Sequence, residues 1–274
     1  MKKGIAYLLT ALLLVASSAA FAETIKIGAS PAPHVEILEF IKPLLAEKGF
    51  DLEIVPFNDY VLPNTAVDQG DLDANYFQHT IYMNNFNKEQ GTKLVAVIPV
   101  HFEPMGVFKG KSDSLEGLKD GAVIGVPNDV TNEARALLLL ESLGLFELAE
   151  GAGATATKLD IVKNDKNIEI IEVEAAQLPR MLPDFDFAVI NGNYAIEAGL
   201  SLLTDTVGAE GSDALDYAGR VNFIVVKEGN ENAAFIEPLR EVLNDQRTID
   251  FMTETYQGRI ILALDMEWPV AGEE

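Results

Sequence analysis

Apolar residues in this chain follow two spacings in turn, and the switches between them mark a series of short elements. Residues 24–28 alternate as a strand that stops at Gly28, and residues 34–48 carry Val35, Leu38, Ile41 and Leu45 at helical spacing before Gly49. A second strand is predicted over 51–57, a short helix over 61–69 ended by Gly70, and a small strand over 73–76. A helix over 79–90 stops at Gly91, and the β-branched run 93–102 reads as a strong strand. This alternation predicts an α/β unit with a mainly parallel sheet.

A second unit starts after residues 101–104. The pattern predicts strands over 105–109, 122–126, 168–173 and 185–190, and a short capped helix over 114–118. Helices are predicted over 133–143, closed by Gly144, over 175–182, interrupted by Pro179, and from the turn 191–194 to 198. Residues 221–227 form another strand, 231–244 and 248–256 closing helices, and the tail after Leu264 looks poorly packed. There is no repeat of fixed period and no low-complexity linker, so two lobes joined by crossing strands are expected, with crossings near 100–108 and 221–227. The expected division is 23–104 for the first part of lobe 1, 105–220 for lobe 2, and 221–274 for the return to lobe 1 and the C-terminal helices.

Residues 1–22 are set apart. Lys2 and Lys3 precede a short apolar run, and Ala20-Phe21-Ala22 supplies small residues around a cleavage point before Glu23. This is the make-up of a secretory signal peptide, and the run is too short to span a bilayer comfortably. The expectation is an exported chain of roughly 250 residues, enough for one large domain or two lobes. The chain has no cysteine, so the core alone must hold the fold. A lipid-modified cysteine is not expected, and the protein is expected free in a periplasm-like space without a lipid anchor. Acidic residues number 43 against 20 basic, a formal charge of −23. That field repels nucleic acid and anionic lipid surfaces.

Enzyme signatures are mostly missing: no glycine-rich phosphate loop, no G-x-S-x-G elbow and no H-E-x-x-H pair. His34, His79 and His101 lie far apart, and no ligand spacing supports a metal. Neither a metal nor a cofactor is expected. Two stretches carry more chemistry. Residues 57–82 gather Tyr60, Tyr76, Phe77, His79 and Tyr82 in a chain that is 8% aromatic. These side chains bury area at low rotamer cost while their polar tips can orient a ligand. Residues 127–135 lead into a helix that Thr131 or Asn132 can cap, with Arg135 one turn in; that fork beside a helix N-terminus suits a carboxylate. Asn193 follows a buried strand, and Asn222 sits inside an otherwise apolar strand, where its amide must face solvent or satisfy a buried group.

The segments FNDYVLPN, GDLDANYFQH, VPNDVTNEARALLLL and EAAQLPRML resemble the methionine-binding proteins of bacterial ABC importers, the NlpA/MetQ lipoprotein family. The resemblance runs from about Ile25 to Leu264. It implies an α/β, two-lobed periplasmic-binding-protein fold, type II-like, with the ligand cleft between lobes. Carried over, it implies that Tyr60, Phe77, His79 and Tyr82 line a thioether pocket, and that Arg135, helped by Asn132, pairs with the ligand α-carboxylate. Asn193 and Asn222 would hold the amino-acid head group. Tyr76 is expected in the core, and Tyr194 beside the site.

The expected function is therefore capture of methionine, the L form in the first place, and delivery to an ABC importer permease. No reaction is expected, and the protein is expected to act as a monomer. Another apolar amino acid or a methionine-containing dipeptide is the alternative ligand. From other classes, a secreted hydrolase using a carboxylate and His79 and a surface antigen that kept the fold are more distant alternatives.

Overall fold

In the computed structural model, residues 23–211 and 217–268 are described; the signal peptide expected over 1–22 lies outside them. The strands are β1 (Glu23–Ala29), β2 (Phe50–Pro56), β3 (Ala74–His79), β4 (Leu94–Phe102), β5 (Gly106–Lys109), β6 (Val123–Pro127), β7 (Glu147–Leu148), β8 (Ile161–Lys163), β9 (Glu169–Val173), β10 (Phe187–Ile190), β11 (Thr206–Ala209), β12 (Val221–Lys227) and β13 (Ile261–Leu262). The helices are α1 (Glu36–Glu47), α2 (Leu62–Gln69), α3 (Thr80–Gln90), α4 (Val130–Ser142), α5 (Leu178–Met181), α6 (Gly192–Glu197), α7 (Tyr217–Arg220), α8 (Ile236–Leu243) and α9 (Gln246–Tyr256).

The strands form two main sheets. The first has the order β13-β4-β12-β3-β1-β2 and the second β11-β5-β10-β6-β9. The chain passes from the first to the second between β4 and β5 and returns between β11 and β12, which makes the molecule two-lobed. Both sheets are mixed, not mainly parallel as the alternation suggested. β1 runs parallel to β2 and β3, but β12 enters between β3 and β4 antiparallel to both. In the second sheet β6 is parallel to β9 and β10, while β5 is antiparallel to β10 and β11. The reason is that β12 arrives on the return crossing instead of through a βαβ connection, so nothing forces it to run with its neighbours.

β3 is buried along its whole length and β12 along all but its last residue. A strand covered on both faces shows a continuous apolar run, not alternation. One face of the first sheet packs on α1, α8 and α9 through Ile27, Ile41, Leu239 and Tyr256; the other packs through Phe77, Phe86 and Phe223. The second sheet is covered by α4 through Leu137 and Leu140, and on its other side by Phe185 and Tyr194.

Several elements differ from expectation. Residues 114–118 form turns, not a helix. The expected helix over 175–182 is a 3-10 turn followed by α5, with Pro179 in the first turn, where no internal hydrogen bond is lost. The closing helix starts only at Ile236. Of the tail after Leu264 only residues 265–268 are described; Asp265 and Glu267 are exposed, while Trp268 is partly buried with its ring 4.6 Å from that of Phe223.

Candidate functional site

Between the lobes lies a small cavity. One wall is aromatic. Tyr60 precedes α2, Phe77 is on β3 and Tyr82 is in the first turn of α3, so three consecutive elements deliver them to one place. Tyr60 is stacked on Phe77 with centroids 5.6 Å apart and meets Tyr82 edge-on at 5.7 Å. The Tyr82 hydroxyl donates to the Tyr60 carbonyl at 3.1 Å, tying the group together. Tyr194, from the second lobe, stacks on Tyr60 at 5.1 Å.

The opposite wall is polar. His79 is the N-cap of α3, and its Nδ1 accepts from the Tyr82 backbone N–H at 3.0 Å. That fixes the proton on Nε2, which faces Asn132 Oδ1 at 3.3 Å across the cleft. Burial, reinforced by the Arg135 charge, lowers its pKa from 6.5 to about 3, so the ring is neutral. Asn132 Oδ1 also accepts from Asn191 Nδ2 at 2.9 Å, and its Nδ2 donates to the Asp129 carboxylate. Asp129, not Thr131 or Asn132, is the N-cap of α4: its Oδ1 accepts from the Asn132 backbone N–H at 3.0 Å. The helix thus begins three residues earlier than expected, and Asn132 is free to face the cavity.

Arg135 projects from the second turn of α4. Its Nε contacts both oxygens of Glu210 at 2.9 and 3.0 Å, and Nη2 donates to Glu210 Oε2 at 2.5 Å and to the Glu103 carbonyl at 2.8 Å. Its guanidinium carbon sits 5.7 Å from the centre of the Phe102 ring. Arg220, just before β12, pairs with the same Glu210. Burial raises the Glu210 pKa, but the charges of Arg135 and Arg220 outweigh it and hold the carboxylate below its usual range. Arg135 and Arg220 thus flank one buried carboxylate at this end of the cavity.

Asn222 sits on β12 at a register slip against β4, and a second slip, against β3, follows between Phe223 and Ile224. Bulges of this kind re-aim side chains near sites, and the amide comes to line the cavity. Asn193 lies in the first turn of α6; its Oδ1 accepts from the Tyr60 hydroxyl at 2.7 Å, while its buried Nδ2 has no partner. The structure therefore gathers around one cavity every residue expected to bind ligand: Tyr60, Phe77, His79, Tyr82, Asn132, Arg135, Asn193 and Asn222.

Gln78, Glu103 and Asn191 also line it and were not anticipated. Asn191 belongs to the Asn-Gly-Asn turn already singled out. In the sequence Glu103 falls only at the boundary between the two units. Its Oε1 lies 2.8 Å from His101 Nε2 and 3.4 Å from His34 Nε2, and its Oε2 accepts from the Asn193 backbone N–H at 3.0 Å. Sequence spacing carried no sign that His34, His101 and Glu103 converge, with donor atoms within 4.8 Å of one another, a set that could hold a metal ion. Burial raises the Glu103 pKa, and His101 is held between Glu103 at Nε2 and the Tyr76 hydroxyl, 2.5 Å from Nδ1. Tyr76 is fully buried and packs in the first-sheet core.

Comparison with known proteins agrees with this architecture. Membrane lipoprotein TpN32 of Treponema pallidum (strain Nichols) is 42% identical over 236 residues, 86% of this chain and 87% of that protein. The D-methionine-binding lipoprotein MetQ of Salmonella typhimurium is 40% identical, covering 85% of this chain and 86% of that protein. A nutrient-binding protein from Burkholderia cenocepacia, solved bound to methionine, superimposes with a TM-score of 0.83 at 37% identity, covering 87% of this chain and 99% of that one.

These findings overturn one expectation. A protein without lipid was expected because the chain lacks cysteine, but the matching family and these relatives are named lipoproteins. A location at the outer face of the membrane stays consistent with them. With the family profile of the NlpA lipoproteins matching residues 25–264, across both sheets and every wall of the cavity, the chain belongs to the NlpA lipoprotein family.

Proposed function

We propose that this protein is the solute-binding component of an ABC importer, that it captures methionine, and that it hands the amino acid to a membrane permease without transforming it. The observation that carries this reading is the single cavity that sets an aromatic wall against a cationic one. The Tyr60, Phe77 and Tyr82 rings offer edges and faces to a thioether, each contact favourable by roughly 0.3–1.5 kcal/mol. Arg135 and the Asn193 Nδ2 donor face the α-carboxylate, with Asn132 and Asn222 completing the head-group contacts. Neutral His79 seats Asn132 and closes the pocket.

The relatives named for methionine and the methionine-bound neighbour support the same ligand. The moving parts in this reading are residues 23–104 with 221–268 as one lobe and residues 105–220 as the other. Closure of the lobes over the ligand is the mechanism.

A thermal-shift and calorimetry panel of the amino acids, both methionine enantiomers and methionine-containing dipeptides tests the proposal. Bound ligand raises the melting temperature by mass action. Methionine is expected to give the largest shift, with leucine weaker by about 1–3 kcal/mol because an apolar slot discriminates modestly. No shift with either enantiomer of methionine would overturn the assignment.

A further inference from the structure

We propose that His34, His101 and Glu103 bind one divalent transition-metal ion of the zinc class, seated in lobe 1 behind the part of the cavity wall that Glu103 forms. This site stands independently of the methionine reading.

The three donors come from two stretches of chain. His34 stands in the helical turn 31–35 ahead of α1, His101 lies near the end of β4, and Glu103 follows it by two residues. One ligand atom from each lies within 4.8 Å of the others, and all three residues are buried. Glu103 Oε1 faces both rings, 2.8 Å from His101 Nε2 and 3.4 Å from His34 Nε2. Bonds of about 2.1 Å to a tetrahedral zinc ion place two donors roughly 3.4 Å apart. The His34–Glu103 pair already has that separation, and the His101–Glu103 pair needs to open by about 0.6 Å.

His34 is the residue that calls for an ion. Its ring is fully buried with Ala32 and Asn222 close by, yet neither Nδ1 nor Nε2 completes a hydrogen bond. Buried polar side chains in folded proteins nearly always have a partner. Packing holds the ring instead: it meets Tyr76 edge-on at 4.5 Å and tilts against His101 at 5.1 Å. Burial keeps both imidazoles neutral at pH 7, and a neutral ring nitrogen carries the lone pair that a metal takes. His101 also has the outer contact that metal-bound imidazoles show. With Nε2 on the ion, Nδ1 carries the proton and donates to the Tyr76 oxygen, 2.5 Å away.

Two imidazoles and one carboxylate favour zinc or a neighbouring transition metal over calcium and magnesium, which prefer shells of oxygen. Three protein donors leave one tetrahedral position, which water can fill. Glu103 Oε2 is not needed for the ion and stays with the Asn193 backbone N–H. The metal thereby fixes the carboxylate that joins lobe 1 to α6.

The test is metal binding by the full chain, first stripped with a chelator and with no amino acid present. Zinc is expected to bind with one equivalent in calorimetry and to raise the melting temperature by mass action. Cobalt(II) is expected to give the intense visible bands of a tetrahedral ion, and zinc to bleach them. Magnesium and calcium are expected to do neither. His34→Gln and Glu103→Gln, each with unchanged circular dichroism, are expected to abolish the cobalt bands. Tyr76→Phe is expected to weaken zinc by about 10- to 100-fold, the loss that follows removal of an outer partner. Zinc that binds equally well to the native protein, His34→Gln and Glu103→Gln sits on surface carboxylates and overturns the proposal. Absence of one-equivalent binding by the native chain also overturns it and leaves a buried water as the partner of His34. If the variants fail to fold, the native cobalt spectrum decides, and the pale bands of an octahedral ion overturn the site. Methionine binding is read in a separate titration, so a failure of either reading leaves the other standing.

Discussion

Tyr60 and Asn193 lie 133 positions apart and meet across the cleft, where the phenol donates to the amide oxygen at 2.7 Å. Tyr60 belongs to the lobe that carries the aromatic wall, and Asn193 to the lobe that carries Arg135. With the stacking of Tyr60 on Tyr194, the contact ties the two lobes and aims the Asn193 amide nitrogen at the cavity. Tyr60→Phe keeps the ring and removes the donor. A net hydrogen bond is worth about 0.5–1.5 kcal/mol, so ligand binding is expected to weaken by roughly 2- to 12-fold. Small-angle scattering of the ligand-free variant is expected to show a larger radius of gyration; unchanged affinity and shape would show that the contact does not latch the cleft.

Arg135 is shared between the cavity and Glu210. Arg135→Ala is expected to cost about 2–5 kcal/mol in methionine binding, because it strips the carboxylate end of its cation. Folding stability is expected to fall too, since the buried Glu210 then keeps Arg220 and the Met105 backbone N–H but loses one of its two guanidiniums. Glu210→Gln separates the effects: it keeps the arginine but loosens its fork, so affinity is expected to drop less than in Arg135→Ala. Calorimetry and urea unfolding on both variants check this, and full affinity in Arg135→Ala would remove that residue from the site.

Which parts of this were legible beforehand follows from what local pattern can encode. Apolar spacing and glycine stops located β12, α2 and α3 almost to the residue, because burial and chain reversal are local requirements. The cavity residues stood out where a polar or aromatic side chain broke such a pattern, as Asn222 does inside β12. The Asp129 cap was missed because Asp129, Thr131 and Asn132 are all competent caps, and only the backbone conformation selects among them. The Arg135–Glu210 pair spans 75 residues in a chain with 43 carboxylates, so no spacing could single it out. The meeting of His34, His101 and Glu103 depends on β4 lying against the loop before α1, a tertiary fact. Trp268 looked like part of a loose tail because a lone aromatic in a polar segment has no period.

Acid is expected to unfold the protein earlier than its carboxylates alone would require. The buried His34, His79 and His101 have pKa values lowered to about 4, about 3 and about 3, whereas in the unfolded chain each titrates near 6.5. Between those limits the unfolded state binds more protons, so this contribution to stability is complete above pH 6.5 and is lost as pH falls towards the folded values. Denaturant midpoints are expected to decline from pH 6.5 to 4, and His79→Gln to reduce the slope. A slope identical to that of the native protein would exclude His79 as a contributor.

Trp268 covers Phe223 on β12 and is only partly buried itself. Trp268→Ala is expected to lower stability by about 1–3 kcal/mol, less than for a fully buried aromatic. The ring lies with Phe223, Ala263 and Met266 on the α2–α3 side of the first sheet, outside the cavity lining. Methionine affinity measured well below the melting temperature is therefore expected to stay within a factor of two, and a larger loss would show that the tail supports the site.

Gly192 is the position where a single methyl group should separate site geometry from side-chain chemistry. Its added Cβ would meet Glu103 Cβ at 2.6 Å and the Pro104 carbonyl oxygen at 3.1 Å. The nearer neighbour is the root of a side chain fixed by His101 and Asn193, so it cannot swing away without breaking one of those bonds. Overpacking of this kind costs about 1–3 kcal/mol of stability. Gly192→Ala is expected to lower the melting temperature and to weaken binding by roughly 10-fold or more, because Glu103 and Asn193 shift together and a small misplacement is felt by every head-group contact. Unchanged melting temperature and affinity in Gly192→Ala would show that the close approach is relieved without moving Glu103 or Asn193.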